Sequence, residues 1–280
     1  MNGITREEWR DEKEAERRQL ADRQQAALAK ALSSGENLAQ YLAGRGRLGS
    51  RYSSGNSALI LDQNPRARVV KSLEEWGSLG RRVGRGEHGI QIIGRERGYW
   101  RVLRVFELAQ TYGARPCKIP RLSAKEPEEL ETALDALGDF SPVQLAAVEQ
   151  METPARYDPQ AGVIQISASA TPEEQFHSLA AEIVTAHVTL TEESAEPSPV
   201  AKLYGQCAAV ELCGRFGLDI PQDAAQRLES LRIHFAKDEE RAMLDEIREY
   251  ARSIGNGIEK EMFPPERGRV PMEITARSER

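Results

Sequence analysis

Glu182 and its neighbours have the residue types and spacing from which hydrolytic zinc chemistry is built. A water-activating zinc helix carries two histidines at positions i and i+4 on one face, with a glutamate directly after the first as general base. In residues 176–187, Phe-His-Ser-Leu-Ala-Ala-Glu-Ile-Val-Thr-Ala-His, Glu182 has the position of that glutamate, whereas Ala181 and Thr185 have the positions of the histidines. Alanine has no lone pair and a neutral threonine hydroxyl is a poor zinc ligand. Without a metal to activate water, Glu182 is predicted to be a relic or a structural hydrogen-bond acceptor.

His177 and His187 are the other local candidates for metal ligands. Successive steps of five residues rotate about 140° around a helix, so His177, Glu182 and His187 do not share one face. The two histidines are therefore predicted to be partly exposed helix residues. No Ser/His/Asp or Cys/His set stands out, and the glycine-rich segment 80–89 lacks the Gly-Lys-Ser/Thr of a phosphate-binding loop, so no cofactor is predicted.

Charge is distributed unevenly along the 280 residues, although the net charge is only −6. Residues 42–121 hold 16 Lys/Arg against 6 Asp/Glu, whereas residues 122–280 hold 15 against 30. Such segregation indicates a basic, anion-seeking module followed by an acidic one.

Aromatic residues are interleaved with the cations of the basic segment, as in grooves that hold single-stranded nucleic acid. Trp76 has helical spacing with Leu79 and is predicted to belong to the core instead. The predicted phosphate contacts are Lys71, Arg81, Arg82 and Arg85, the predicted base-stacking residues are Tyr52 and Trp100, and the predicted hydrogen-bonding residues are Asn56 and Gln110.

Caps and apolar periodicity predict an α+β fold, with a basic α+β N-terminal domain followed by a mostly helical one. Helices are predicted from Thr5 to about Ser33, over 36–43, from Ser72, as two short helices within 126–150, from Thr171 to about Leu190, over about 200–216 and onward to about Ser253. Strands are predicted over 67–70, 90–93, 99–108 and 163–167. The predicted boundaries are 1–125 and 126–254 for the two domains, with a disordered tail over 255–280.

The ends and cysteines of the chain bear on its location. The charged start has no apolar core of a secretory signal, and no apolar run is long enough to span a membrane. An odd count of three cysteines fits a reducing compartment, so a cytoplasmic protein without a membrane partner is predicted.

Several spaced segments together resemble the N-terminal domain of ArdC-type antirestriction proteins. They are Tyr52-Ser53-x-x-Asn56, Leu59-Ile60-Leu61-x-Gln63-x-Pro65, Trp76-x-x-Leu79-Gly80-Arg81-x-Val83-x-x-Gly86-x-x-Gly89-Ile90 and Val105-Phe106-x-x-x-Gln110-Thr111. The resemblance implies single-stranded DNA binding, a mobile-element origin, and a C-terminal zincin-like metallopeptidase domain. Residues 157–219 are similar to that domain in layout, and the third ligand of the family falls at or near Gln206. Together with Ala181 and Thr185, this implies a metallopeptidase-like domain that has lost its metal and its activity.

Two other interpretations stay open. One is an active zinc metallopeptidase with non-standard ligands. The other is a protein-interaction module, whose acidic C-terminal domain mimics DNA and occupies a restriction enzyme or another DNA-processing protein.

Overall fold

The computed structural model describes residues 5–113, 117, 119–123 and 125–263 of the chain. Side-chain caps start many of the helices: Thr5, Ser72 and Thr171 begin predicted helices, and each forms a capping box with a glutamate three residues on. In these residues the helices are Arg6–Leu32 (α1), Gly35–Arg47 (α2), Ser54–Gln63 (α3), Leu73–Ser78 (α4), Pro127–Gly138 (α5), Pro172–Thr191 (α6), Pro199–Phe216 (α7), Ala224–Leu231 (α8) and Glu240–Met262 (α9).

The strands of the same described ranges form three small sheets. They are Val70–Lys71 (β1), Arg82–Val83 (β2), Ile90–Glu96 (β3), Tyr99–Glu107 (β4), Thr111–Tyr112 (β5), Gln144–Val148 (β6), Ala155–Asp158 (β7) and Val163–Ser167 (β8). The first sheet is antiparallel with strand order β1-β4-β3, and β2 pairs with β5. In the third sheet, of order β6-β8-β7, β8 pairs in parallel with β6 and antiparallel with β7.

Within the described residues, two hydrophobic cores stabilise these elements. The larger core contains buried residues of α5 to α9 and also of α2, including Leu38 and Leu42, which are fully buried. The smaller core lies under the first sheet and is built around Ile60, Ile92 and Val105. Helix α2 therefore packs with the acidic C-terminal half, although it precedes most of the basic segment.

The fold class is the α+β class that the sequence predicts, with a mostly helical C-terminal part. In the described part of the chain, no helix combines the length and apolar character needed to cross a membrane.

Three predictions of secondary structure were wrong. The second helix predicted within 126–150 is strand β6, because pairing with β8 outweighs the helical preference of its Leu-Ala-Ala segment. The strand predicted over 67–70 is the two-residue β1. Helix α9 continues through Gly255 to Met262, into the segment predicted to be a tail, because Ile254 and Ile258 are buried in the larger core. The rest of that predicted tail, 264–280, lies outside the described residues.

Candidate nucleic-acid interface

Arg82 and Arg85 lie on the glycine-rich loop and are the most accessible of the predicted phosphate contacts. Arg82 is on β2, opposite Tyr112 of β5, and both arginine side chains are exposed. Gly80 and Gly86 have φ of +71° and +87°, a region that favours glycine, so the loop can bend tightly around the β2–β5 pair. The loop thus presents two cations to solvent, Arg82 on the β2–β5 pair and Arg85 in the turn that follows β2.

Arg81, next to them, is held against the protein. Its guanidinium donates hydrogen bonds to Oγ1 and the carbonyl oxygen of Thr111, at 2.9 and 3.0 Å, and lies 5.9 Å from the ring centroid of Trp76. Trp76 is fully buried, as the sequence predicts, and its Nε1 donates to the carbonyl oxygen of Phe106 at 2.9 Å. These contacts of Arg81 hold the glycine-rich loop against β5 and Trp76.

Gln110 also has partners within the protein. Its side-chain nitrogen donates to Glu87 Oε2 at 2.8 Å and to the His88 carbonyl oxygen at 2.9 Å, while its side-chain oxygen accepts from the Glu107 N–H at 2.9 Å. These three bonds close the glycine-rich loop onto the end of β4.

Tyr52 and Lys71 are both half-buried. The Tyr52 hydroxyl donates to the Val70 carbonyl oxygen at 2.8 Å, and burial raises the pKa of this phenol to about 12. Burial, and then the neighbouring Arg51, lower the pKa of Lys71. Tyr52 packs on the smaller core, so its predicted base-stacking role stays a prediction, as does the phosphate contact of Lys71.

The side chain of Asn56 bonds backbone N–H and C=O groups on the edge of β3 that has no neighbouring strand among those that the structure describes. Its Nδ2 donates to the Ile93 carbonyl oxygen at 2.8 Å, and its Oδ1 accepts from the Ile93 N–H at 3.0 Å. Gln63, two turns later on α3, makes the same pair of bonds with Gln91, at 2.8 and 2.9 Å. The two amides take the place of a neighbouring strand, and the predicted DNA contact of Asn56 stays a prediction.

The predicted stacking residue Trp100 lies in a groove between β4 and the N-terminal half of α1. This groove, here called the α1–hairpin groove, has a volume of about 440 Å³. Three of its aromatic side chains are strongly exposed: Trp9 (48%), Tyr99 (70%) and Trp100 (52%). The Arg95 guanidinium lies 4.9 Å from the Trp100 ring centroid, which is a cation–π distance.

Trp9 and Tyr99 are site residues that were not predicted from the sequence. Trp9 precedes the basic segment and is separated from Trp100 by most of the N-terminal half, so only the tertiary fold brings the two together. A signal was nevertheless present: Trp9 is an aromatic residue in a helical stretch that is otherwise almost entirely polar. Such a residue has no core to enter and is expected at the surface.

The zinc-helix positions lie where α6 crosses α7. The Thr185 hydroxyl donates to the Ala181 carbonyl oxygen at 2.8 Å, and a Cβ at Gly205 of α7 would collide with both of these oxygens. Ala181 and Thr185 are buried, so an imidazole at either position would have no space unless α7 moved. The residues at this crossing do not fit a zinc ion.

Glu182 accepts a hydrogen bond from the Tyr157 N–H at 3.0 Å, and burial raises the pKa of its carboxyl group. It thereby joins α6 to β7 as a structural acceptor. Gln206, the third position, is half-buried, and its side-chain oxygen has no hydrogen-bond partner among the described residues. In the described ranges, no three or more His, Cys, Asp or Glu residues are grouped to hold a metal ion.

The predicted partial exposure of His177 was wrong. This side chain is 1% exposed, because the face of α6 that carries it packs into the larger core. His187 is half-buried, and its Nε2 lies 3.0 Å from the Phe140 carbonyl oxygen.

No protein-family model and no curated protein matches the sequence. Among solved structures, the chain is similar to the antirestriction protein ArdC from plasmid R388. Its metal-free structure is 16% identical with a TM-score of 0.42, over 75% of this chain and 85% of that chain. The Mn(II)-bound structure is 19% identical with a TM-score of 0.45, over 76% of this chain and 86% of that chain. The protein found by this comparison is of the type that the sequence segments resemble.

Proposed function

We propose that this chain is an ArdC-type antirestriction protein that binds single-stranded DNA through its basic N-terminal unit. The observation that carries the proposal is the presence of exposed aromatic rings and uncompensated arginines on that unit. Base stacking on such rings tolerates any sequence, because every base has a π-face, and cations along the path hold the phosphates. We therefore expect binding without strong base preference.

The arginines around the loop and hairpin support phosphate binding by their lack of partners. Arg82, Arg85 and Arg104 are exposed, and no carboxylate lies within ion-pair distance of them among the described residues. Arg101, in contrast, lies 3.6 Å from Glu96. Unpaired exposed cations lose little on meeting a phosphate, since no existing ion pair has to be broken.

We further propose that the zincin-like part is catalytically inactive and acts as a scaffold or as a surface for a DNA-processing or restriction protein. The crossing of α6 and α7 at Gly205, with Ala181 and Thr185 in contact, supports this proposal. Incubation of the full chain with labelled casein and added Zn²⁺ or Mn²⁺ tests it. We expect no cleavage above that of the Glu182→Gln variant. Cleavage that this substitution abolishes would overturn the proposal.

The DNA-binding proposal is tested by fluorescence anisotropy with the full chain at low salt. The ligands are a labelled oligo(dT) strand and a duplex of the same length. We expect tighter binding to the single strand, because stacked base pairs do not offer their faces to the protein. Equal affinity for both ligands would indicate general attraction to phosphate, and absence of binding to either would contradict the proposal.

A further inference from the structure

The α1–hairpin groove is lined by aromatic side chains that do not contribute to either hydrophobic core. Its three exposed aromatic rings come from two elements far apart in sequence, and none belongs to either hydrophobic core. Large apolar side chains scattered singly on a surface need no explanation, but a cluster of them in one concave place marks an interaction site.

The hairpin turn fixes the groove wall. Arg97 and Gly98, at the turn, both have positive φ (48° and 85°), which matches the twist of two antiparallel strands. The resulting register places Arg95 opposite Trp100 and Glu96 opposite Tyr99. The Arg95 guanidinium therefore rests on the Trp100 indole and holds this ring in place beside the groove.

The charges of the groove are only partly compensated. Lys13 is paired with Glu16 at 2.8 Å and Arg101 with Glu96 at 3.6 Å, and Glu14 is bound by Arg18 at 3.2 Å. Arg17, Arg95 and Arg104 have no carboxylate partner among the described residues. The carboxylates are thus already neutralised by neighbours, and the groove keeps a positive surplus.

Arg104 connects the groove to the glycine-rich loop. It lies on the same face of β4 as Trp100, four residues further along, which corresponds to about 13 Å at 3.3 Å per residue. A Cβ at Gly89, the end of the loop, would lie 3.0 Å from the Arg104 Cβ. Arg104 therefore lies between the aromatic rings of the groove and the end of the loop that carries Arg82 and Arg85.

We infer that the α1–hairpin groove is the base-stacking subsite for a single DNA strand, with bases on Trp9, Tyr99 and Trp100 and the backbone running past Arg104 to the loop. The inference rests on the proposed function and adds to it that α1, outside the basic segment, supplies one wall. A stacked duplex does not present its base faces to these rings, so this subsite selects single strands.

Intrinsic tryptophan fluorescence tests the inference directly. The chain has three tryptophans, and Trp76 is fully buried, so Trp9 and Trp100 in the groove are the only ones that DNA can contact. We expect oligo(dT) to quench the emission of the full chain in parallel with the anisotropy change, and Trp100→Phe to remove much of that quenching.

Affinity measurements complete the test. We expect Trp100→Ala to weaken oligo(dT) binding about 10-fold and Trp9→Ala by a smaller factor, as for loss of a stacked base. Ile233→Ala is the control, because Ile233 is a 72% exposed apolar residue of the acidic C-terminal half, away from the groove and the loop, and it should stay within about two-fold of the wild type. Unchanged circular dichroism and melting temperature show that each variant is folded.

Two results would contradict the account, and they differ from each other. If the wild-type chain binds oligo(dT) without a change in tryptophan emission, and Trp100→Ala and Trp9→Ala bind as tightly, the groove is not the subsite although the proposed function holds. If the wild-type chain binds no DNA at low salt, both the proposed function and this inference are overturned.

Discussion

His177 is a buried ionisable residue whose two ring nitrogens have no hydrogen-bond partner among the described residues. Burial, and then the positive charge of Arg227, lower its pKa to about 4, while Asp223 opposes this shift. The neutral imidazole therefore acts as a small hydrophobic group between α6 and its neighbours. Its protonated form would be a buried, unpaired charge.

This environment predicts a loss of stability in mild acid. The pKa in the folded state, about 4, is below the value of about 6.5 in the unfolded chain, so the unfolded state takes up the proton first. The contribution of His177 to stability is then complete above pH 6.5 and falls by about 3 kcal/mol as the pH drops to 4.

Urea unfolding of the wild type and of His177→Leu, between pH 4 and pH 7.5, measures this loss. The leucine has no proton to bind, so the stability difference between the two proteins should shift in favour of the variant as the pH falls. Parallel pH profiles would contradict the assignment.

At the scale of elements, the sheet of the basic unit depends on two amide side chains. Asn56 and Gln63 of α3 bond both backbone groups of Ile93 and Gln91, which lie on the edge of β3 away from β4. An open edge with unsatisfied N–H and C=O groups would be a place for unwanted strand pairing. The helix protects the edge and sets the position of the hairpin that carries Trp100.

We expect Asn56→Ala to destabilise the protein by about 1–3 kcal/mol, because it leaves partly buried backbone groups of β3 unpaired. Gln40→Ala is the control: Gln40 is an exposed amide on α2, and its one side-chain hydrogen bond to a described residue is donated to Glu36 Oε1 at 3.3 Å. Chemical denaturation measures both. If Asn56→Ala loses no more stability than Gln40→Ala, Asn56 does not stabilise the edge of β3.

Elements set by local chemistry could be predicted from the sequence, and those set by distant pairing could not. The capping boxes at Thr5, Ser72 and Thr171 involve residues three apart, so their helices were confirmed. Strand β6 depends on hydrogen bonds to β8, about twenty residues away, and was wrongly predicted as a helix. The same limit applies to the candidate site: Trp100 was assigned from its own segment, whereas Trp9 joins it only through the fold.

At the scale of the whole molecule, a buried ion pair links the N-terminal half to the C-terminal core. Arg45 of α2 and Glu211 of α7 are both fully buried, and Arg45 Nε donates to Glu211 Oε2 at 2.7 Å. Arg45 Nη1 also donates to Ser54 Oγ at 3.2 Å and to the Leu244 carbonyl oxygen at 2.7 Å. One guanidinium thus connects α2, α3, α7 and α9. The predicted division at residue 125 stays a prediction, although α2 packs with the helices beyond it.

Removal of one partner from this pair should lower the free energy of unfolding by about 3–5 kcal/mol, because the other charge is left buried without compensation. We expect that loss in Arg45→Met and recovery of much of it in Arg45→Met/Glu211→Met. Equilibrium unfolding measures both, by circular dichroism for the helices and by tryptophan emission for the basic unit. A loss below about 1 kcal/mol in the single variant would show that the pair does not hold the two halves together.

Phosphate binding by the uncompensated arginines is tested most directly by the salt dependence of DNA affinity. For single strands, the logarithm of the binding constant falls with the logarithm of the salt concentration by about 0.7 per phosphate contact. We predict that Arg82→Ala/Arg85→Ala/Arg104→Ala binds oligo(dT) more weakly than the wild type and reduces this slope by about 2. Lys237→Ala/Lys260→Ala, which removes two exposed cations from the acidic half, should keep the slope of the wild type. If the triple variant retains the affinity and salt slope of the wild type, the basic unit does not bind DNA in the proposed way.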